Sequence, residues 1–216
     1  IIFTLNQDLF IERRLEVSGG RPELPFMELP SFWGSANKGR EPLTQGDYRP
    51  LPNEEELSSS RIGRSNNVLY YVKLHGSLNW IDSEGHRRLV IGRNKEDAIT
   101  AEPLLNHYFK LFNETLYSDP KKLLCIGYSF RDQHINQVIV NAIKNYSLEL
   151  YVLNPQSPGD FFDSFDDSST GEAIKTGLKA YYPYTLIDIF SGNQRTTFEW
   201  CDILESYFGE KPYECN

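Results

Sequence analysis

Short apolar runs of strand length alternate along this chain with segments of helical periodicity. The apolar runs cover residues 1–5, 68–74, 123–126 and 148–153, with a shorter run at 89–91. Apolar residues at helical spacing occupy residues 9–15, 101–117, 135–143 and 197–208. Strands that alternate with helices are typical of a parallel sheet covered by helices on both faces. The chain is therefore predicted to have an α/β fold built on an open parallel sheet.

Two polar stretches interrupt this alternation. Residues 17–68 contain six of the chain's 12 prolines and few periodic apolar positions. Because so long an irregular stretch inside a compact domain is usually functional, an insertion or lid over the site is favoured. Residues 157–171 are rich in Asp and Ser and are predicted to form a surface loop. We predict a single domain over residues 1–216 with one irregular insertion at 17–68.

Charge and hydropathy argue against two classes of partner. The chain has 30 acidic and 22 basic residues and a net charge of −8, which argues against binding to the phosphates of a nucleic acid. Its apolar runs fall far short of the about 20 residues that cross a bilayer, so no membrane partner is expected. A homo-oligomer is compatible with the sequence.

The cysteines are Cys125, Cys201 and Cys215, an odd number without a CxxC pair. A structural zinc site needs four closely spaced ligands, so no zinc or other metal is expected. The count also argues against a disulfide framework and favours a reducing compartment, which predicts a cytoplasmic protein. Cys125 lies within an apolar run and is expected to be a buried thiol.

Polar clusters stand at the carboxyl ends of the four longer strands. They are Thr4-Leu5-Asn6-Gln7-Asp8, His75-Gly76-Ser77, Gly127-Tyr128-Ser129 and Asn154-Pro155. Ligands of open parallel sheets bind beyond the carboxyl ends of the strands. Because parallel strands end at one edge of a sheet, we expect these clusters to converge on one site.

Each cluster carries groups with a chemical use beside a dinucleotide. His75 titrates near neutral pH and suits a general base. Asn6 can orient a water or a ribose hydroxyl without adding charge, and Asp8 can accept hydrogen bonds from ribose hydroxyls. Gly76 and Gly127 let the main chain approach a ligand closely. Three further side chains offer hydrogen bonds to hydroxyl or phosphate groups: Ser77, Ser129 and Asn154.

Structural roles explain several of these residues one at a time. Asn6 and Asp8 are of the types that favour turns and helix caps. Asn154 precedes a proline, which turns it out of helical geometry. A nucleophile of the α/β-hydrolase type at Ser129 is disfavoured, because the tight turn of that class needs Gly where Arg131 stands.

The order of the clusters resembles that of the sirtuin superfamily, and most of all the divergent sirtuin-like domains of bacterial phage-defence proteins. Three phrases carry the resemblance: FTLNQDLFIER, VKLHGSLNW and LLCIGYSFRDQHIN. With the strand that ends at Asn154, they cover about residues 1–15, 69–80 and 123–154. The resemblance implies a Rossmann-like sheet, with NAD as the substrate and NAD or ADP-ribose as the bound molecule.

The same resemblance assigns roles to single residues. Asn6 matches the catalytic Asn that positions water or the nicotinamide ribose. His75 matches the catalytic His that activates a ribose hydroxyl or water. Asp8 would support the nicotinamide end, whereas Asn154 would contact the adenosine ribose. The remaining positions implied to bind the cofactor are Thr4, Gly76, Ser77, Gly127 and Ser129, of which Gly127 and Ser129 match the turn near the adenosine half.

Three departures from the sirtuin pattern shift the expected reaction. The Gly-rich turn that precedes the Asn motif in the family is not within this sequence, so we expect a domain truncated at its N-terminus. Leu5 stands where sirtuins carry a Gln. The family's four-Cys zinc module, which helps to form the acyl-peptide cleft, would follow the His-Gly turn, but residues 76–122 contain no Cys.

Hydrolysis of NAD to ADP-ribose and nicotinamide is therefore the expected reaction, ahead of protein deacylation. The alternative is a sensor or assembly domain that binds NAD or ADP-ribose without turnover. A role in phage defence is implied by the resemblance alone.

Overall fold

The computed structural model describes residues 1–11, 48–58, 70–92, 94–118, 121–165, 168–190 and 197–209. The chain divides into two compact units, Ile1–Asn113 and Glu114–Asn216. Most of the predicted insertion at 17–68 and most of the predicted helix at 9–15 lie outside the described residues. Among the described residues, the longest helices are too short and too polar to cross a membrane.

The first unit carries short paired strands. They are β1 (Ile2–Thr4), β2 (Arg49–Pro50), β3 (Tyr71–Lys73), β4 (Gly76–Ile81) and β5 (Arg87–Leu89). Strand β1 pairs with β3 in parallel, and β2 pairs with β4 in parallel, whereas β4 and β5 form an antiparallel hairpin. The predicted strands at 1–5, 68–74 and 89–91 are confirmed with shorter or shifted bounds.

Within the described part of this unit, three helices follow these strands or lie between them: α1 (Glu54–Ser58), α2 (Lys95–Ala101) and α3 (Pro103–Leu116). Pro103 opens α3, where its missing N–H has no helical partner to lose, and the Glu102 carboxylate accepts a hydrogen bond of 2.8 Å from the N–H of Leu105. Rings of α3 pack on the strands. The Phe3 and Phe112 rings lie 5.0 Å apart, and those of Trp80 and Tyr108 lie 6.2 Å apart.

Strand β4 is missing from the sequence-based prediction, which ended the strand at the His-Gly-Ser turn. Its sequence, GSLNWI, places Ser77 and Asn79 at buried positions, so the usual alternation of apolar and polar residues is lost. The polar side chains are tolerated there because they hydrogen-bond to each other.

The second unit contains a three-stranded parallel sheet in the order β6 (Lys122–Ile126), β7 (Glu149–Leu153), β8 (Leu178–Tyr182). Its helices are α4 (Gln133–Tyr146), α5 (Pro158–Asp163), α6 (Ser169–Gly177), α7 (Leu186–Ile189) and α8 (Phe198–Ile203), which continues into a π-helical turn at Leu204–Phe208. Helix α4 connects β6 to β7. Of its predicted apolar face, Ile135, Val138, Ile139 and Ala142 are buried, whereas Ile143 is half-buried. The parallel sheet with flanking helices confirms the predicted Rossmann-like α/β class.

The predicted surface loop at 157–171 is wrong, since α5 and the start of α6 lie there. Ser157 accepts a hydrogen bond from the Asp160 N–H, and Ser168 accepts one from the Gly171 N–H, both at 3.2 Å. These serines are helix N-caps, and Phe161 within α5 is buried at 1% exposure. The polar residues therefore mark helix starts.

The last predicted helix is confirmed, but its buried face is different. The spacing of Phe198, Cys201 and Leu204 predicts one apolar face, but Phe198 is 79% exposed and Ile203 is buried. Ile203 packs in a buried cluster with Tyr151, Leu153, Tyr182 and Ile189, so this side of α8 faces the core.

The cysteines differ from expectation in one respect. Cys125 is a free, buried thiol, as predicted, and burial raises its pKa to about 12. Cys201, however, takes part in a disulfide. The odd cysteine count therefore did not exclude a disulfide, and the argument for a reducing compartment loses that support.

Candidate functional site

The predicted site residues fall into two groups, one in each unit. The first cluster comprises Thr4, Asn6, Asp8, His75, Gly76 and Ser77. The second cluster comprises Gly127, Ser129 and Asn154. That the two clusters meet at one edge of a sheet stays a prediction.

Main-chain hydrogen bonds hold the two halves of the first cluster together. Thr4 and Lys73 are partners in the parallel pairing of β1 with β3. The N–H of Leu74 donates to the main-chain oxygen of Thr4 at 3.0 Å, and the N–H of Leu78 donates to the main-chain oxygen of Gln7 at 2.9 Å. The segment that carries Asn6 therefore lies along the turn that carries His75.

Gln7, which sequence reasoning passed over, locks this arrangement with its side chain. Its Nε2 donates to the main-chain oxygen of His75 at 3.1 Å and to that of Val90 at 3.0 Å. The N–H of Val90 donates to the same His75 oxygen at 3.0 Å. The main-chain oxygen of His75 is thus held by Val90, which follows β5, and by the segment that carries Asn6. A Gln between two candidate residues was the only signal in the sequence.

Asn6 and Asp8 are exposed, but their side chains are used differently. Asp8 Oδ1 accepts a hydrogen bond of 2.9 Å from the Phe10 N–H, as a cap does, so one of its oxygens is engaged. The N–H of Asn6 donates to Thr4 Oγ1 at 3.1 Å. Within the part of the chain that the structure describes, the side-chain amide of Asn6 has no hydrogen-bond partner, which leaves its donor and acceptor for a ligand.

His75 is buried at 4% exposure. The next residue, Gly76, is required to be glycine by the local backbone and packing. Gly76 has φ +81°, and a Cβ atom built there would lie 2.4 Å from the Arg88 main-chain oxygen. Packing of β4 against β5 therefore explains this glycine without a ligand. Its approach to a ligand stays a prediction.

Ser77 is fully buried and belongs to a polar network. Its Oγ accepts a hydrogen bond from Lys73 Nζ at 3.1 Å and donates one to Asn79 Oδ1 at 2.9 Å. A hydroxyl has a single proton, so that of Ser77 is committed to Asn79. Lys73 was not predicted as a site residue, because a lysine inside an apolar run gives no sign of what its ammonium contacts.

In the second cluster, Gly127 follows β6 at φ +62° and donates its N–H to the Leu153 oxygen at 2.9 Å. A Cβ atom at this position would meet nothing within 4 Å, so the space beside it is open. The glycine is favoured by its backbone conformation, and the open space permits a ligand to approach. Ser129, two residues later, is exposed.

Asn154 follows β7 and is held by two hydrogen bonds. Its N–H donates to the Tyr182 oxygen at 3.0 Å, and its Oδ1 accepts from the Gln156 N–H at 3.0 Å. The second bond is the Asx turn that sequence reasoning allowed as a structural alternative. It also sets the orientation of the amide, so that Nδ2 is left to donate to a ligand.

A buried Asn supports the loop that carries Gly127 and Ser129. Asn136 Oδ1 accepts from the Tyr128 hydroxyl at 2.8 Å, and its Nδ2 donates to the Phe130 oxygen at 2.6 Å. Burial raises the pKa of Tyr128, which keeps the hydroxyl protonated as a donor. Phe130 itself has φ +54°, an unusual value for a non-glycine residue. Sequence reasoning missed Asn136 because it counted only the apolar face of the helix.

Asp82, Glu84 and His86 bring possible metal-ligand atoms within 4.8 Å of one another on the turn between β4 and β5. The Asp82 carboxylate is already occupied. Although desolvation acts in the opposite direction, hydrogen bonds from the N–H groups of His86 and Glu84 and the nearby Arg88 lower its pKa. These hydrogen bonds of Asp82 stabilise the hairpin turn, which explains why the three side chains lie together without a metal.

Comparison with known proteins identifies one family. The model of the family described as SIR2-like domain matches residues 1–176, which include both clusters. No curated protein is similar enough to the chain to count as a match.

Proposed function

The chain belongs to the SIR2-like domain family, which uses NAD, and from this premise we propose that it is a hydrolase that cleaves the nicotinamide–ribose bond of NAD. The observation that carries the proposal is the side-chain amide of Asn6. It is exposed, it has no hydrogen-bond partner among the described residues, and its segment is fixed along the turn of His75. A polar amide in this position suits the orientation of a water or a ribose hydroxyl.

In the proposed reaction, water attacks the anomeric carbon of the nicotinamide ribose through an oxocarbenium-like transition state. The C–N bond breaks and its electron pair neutralises the pyridinium nitrogen, so nicotinamide leaves without needing a proton. Asn6 holds the attacking water, and His75 accepts the proton that the water loses. The products are ADP-ribose, nicotinamide and one proton, which His75 returns to solvent.

The groups of Asn6 suit this chemistry because they are neutral. A cationic side chain beside the anomeric carbon would oppose the positive charge that develops there, whereas an amide oxygen stabilises it and an amide N–H orients the water. We assign Thr4 and Asp8 to support of the nicotinamide end, since Thr4 holds the Asn6 main chain and Asp8 stands exposed two residues later.

For the second cluster we propose contacts with the adenosine half of NAD. The open space beside Gly127 leaves room for a phosphate or ribose, and Asn154 Nδ2 is available as a donor to a ribose hydroxyl. Ser129 offers an exposed hydroxyl to a phosphate oxygen. Because Gly76 and Ser77 already have internal partners, we assign them to shaping the His75 turn rather than to direct contact.

Hydrolysis is favoured over protein deacylation by the absence of cysteines between residues 76 and 122, where the zinc module of deacylating sirtuins would stand. A role in bacterial phage defence is part of the proposal only through the resemblance to phage-defence domains.

The burial of His75 favours a second candidate function, a sensor that binds NAD or ADP-ribose without turnover. At 4% exposure, the imidazole offers little surface to an attacking water. Such a sensor would keep its affinity for NAD when His75 is replaced, since binding would not need a base.

Release of nicotinamide and ADP-ribose from NAD by the full chain tests the proposal, with His75→Ala as the variant and His86→Ala as its control. His86 is 67% exposed on a hairpin turn, so its loss controls for removal of an imidazole. Turnover in the wild type and in His86→Ala, with none in a folded His75→Ala, supports the hydrolase. Binding of NAD by a wild type that releases no nicotinamide selects the sensor.

A further inference from the structure

Lys73 is a buried cation to which the proposed reaction assigns no role. Its side chain is fully buried at 0% exposure within β3. Nζ donates a hydrogen bond to the main-chain oxygen of Asp8 and another, of 3.1 Å, to Ser77 Oγ. A buried ammonium is unfavourable unless hydrogen bonds replace its water, and an apolar side chain would fill the same volume without that penalty. The position of Lys73 therefore calls for a role beyond packing.

The two acceptors lie on the two segments of the first cluster. Asp8 follows Asn6 by two residues, and Ser77 follows His75 by two residues. Lys73 and Ser77 stand on either side of His75, so their hydrogen bond closes the turn that carries the imidazole. The hydrogen bond to the main-chain oxygen of Asp8 attaches the segment that carries Asn6 to the same ammonium. One side chain thus joins the supports of both residues.

We propose that Lys73 is a positioning residue that sets Asn6 relative to His75. The proposal rests on the proposed function for its kinetic consequence, but its structural part stands without it. Loss of the ammonium removes the donor from the Asp8 oxygen and from Ser77. Other hydrogen bonds between the segments remain, among them those from the N–H of Leu74 to Thr4 and from the N–H of Leu78 to Gln7, and those of the Gln7 side chain. A displacement of about 1 Å in a reacting geometry lowers a rate by on the order of 100-fold.

Amide hydrogen exchange tests the structural part directly. The N–H of Leu78 donates to the Gln7 oxygen, so its protection reports how firmly the Asn6 segment is held. In Lys73→Met of the full chain we expect exchange at Leu78 to accelerate by about tenfold or more, while the N–H of Gly127 in the other unit is unchanged. Lys110→Met, the same substitution at an exposed position of α3, should leave Leu78 protected.

A double-mutant cycle tests the kinetic part. If Lys73 acts through Asn6, Lys73→Met lowers kcat in the wild-type background and adds little to the loss caused by Asn6→Ala, with the KM for NAD nearly unchanged. A merely structural residue would give independent, additive losses in the two backgrounds. Wild-type protein without turnover refutes the proposed hydrolase. The exchange at Leu78 then tests only the structural part of the proposal, that Lys73 holds the two segments together.

Ser77→Ala carries the same comparison if Lys73→Met does not fold. It removes one acceptor and keeps the ammonium, so Leu78 should exchange faster than in the wild type but more slowly than without the lysine. Unchanged protection of Leu78 in a folded Lys73→Met or Ser77→Ala, or additive losses of kcat, overturns the proposal.

Discussion

The side-chain amide of Gln7 donates a hydrogen bond of 3.1 Å to the main-chain oxygen of His75, which lies 68 residues further along the chain. Its second bond, of 3.0 Å, reaches the oxygen of Val90. One neutral side chain thus fixes the main chain of the proposed base to the segment that carries Asn6.

Replacement of Gln7 by Ala should therefore reduce both stability and turnover. The Val90 oxygen would lose a donor in a buried setting, so we expect the free energy of unfolding to fall by roughly 1–3 kcal/mol. Urea unfolding and nicotinamide release would measure the two effects. Gln137→Ala, at an exposed position of α4, is the matched control and should change neither. A Gln7→Ala variant with wild-type stability would contradict the role given to this side chain.

Gly127→Ala separates backbone strain from loss of ligand space. Gly127 and Gly85 both have positive φ, +62° and +84°, and neither would bring a Cβ atom within 4 Å of another group. Both substitutions should lower the free energy of unfolding by about 1–2 kcal/mol, because L residues resist this conformation. Only Gly127→Ala should raise the Kd for ADP-ribose in titration calorimetry, since this product keeps the adenosine half and is not turned over. Equal Kd values for the two variants would remove Gly127 from the proposed site.

The sequence predicted residues 122–153, the first part of the second unit, best. The pattern of β6, α4 and β7 is regular, and all three elements lie where periodicity placed them. In β4, polar side chains satisfy one another in buried positions, and no local pattern signals such pairing. Strand β8 was not predicted because its sequence, LKAYY, alternates only weakly between apolar and polar residues.

For the site too, the sequence revealed residues whose place in the chain order is informative, but not residues whose role depends on contacts in the fold. Asn6, His75, Gly127 and Asn154 stand at strand ends, which chain order reveals. Their supports, Gln7, Lys73 and Asn136, act largely on main-chain oxygens. Every residue has a main-chain oxygen, so the sequence does not indicate which one a side chain will contact. These partners can be identified only from the folded structure.

Tyr108→Phe should raise stability. The hydroxyl of Tyr108 is buried without a hydrogen-bond partner among the described residues, and burial raises its pKa. Removal of an unsatisfied buried polar group should increase the free energy of unfolding by about 1 kcal/mol. Tyr182→Phe is the opposite case, because the Tyr182 hydroxyl lies 2.6 Å from Ser206 Oγ, and it should be destabilising by about 1 kcal/mol. Thermal unfolding that ranks the two variants in reverse would refute this assignment.

Glu102 should make stability depend on pH in the acidic range. Burial raises the pKa of this carboxyl above its ordinary value of 4.5, although the N–H groups of Leu105 and Leu104 act against this rise. With the folded pKa above the unfolded one, the folded state binds the proton more tightly, so this contribution to stability is full below 4.5 and is lost as pH rises through the folded pKa.

Glu102→Gln removes that titration and keeps an acceptor for the Leu105 N–H. The variant should be more stable than the wild type at pH 7, and the difference should vanish at a pH below 4. Urea unfolding across this range measures it. A wild type that is the more stable protein at pH 7 would show that the Glu102 carboxylate is favourably held in the fold.

The rate of nicotinamide release from NAD by the full chain, compared between the wild type and Asn6→Ala, tests the central claim most directly. Asn145→Ala, which removes an exposed amide from α4, serves as the matched control. We predict release by the wild type and the control, and a loss on the order of 100-fold in a folded Asn6→Ala. Equal rates in all three proteins would contradict the assignment of Asn6, and a wild type that releases no nicotinamide would contradict the proposed reaction.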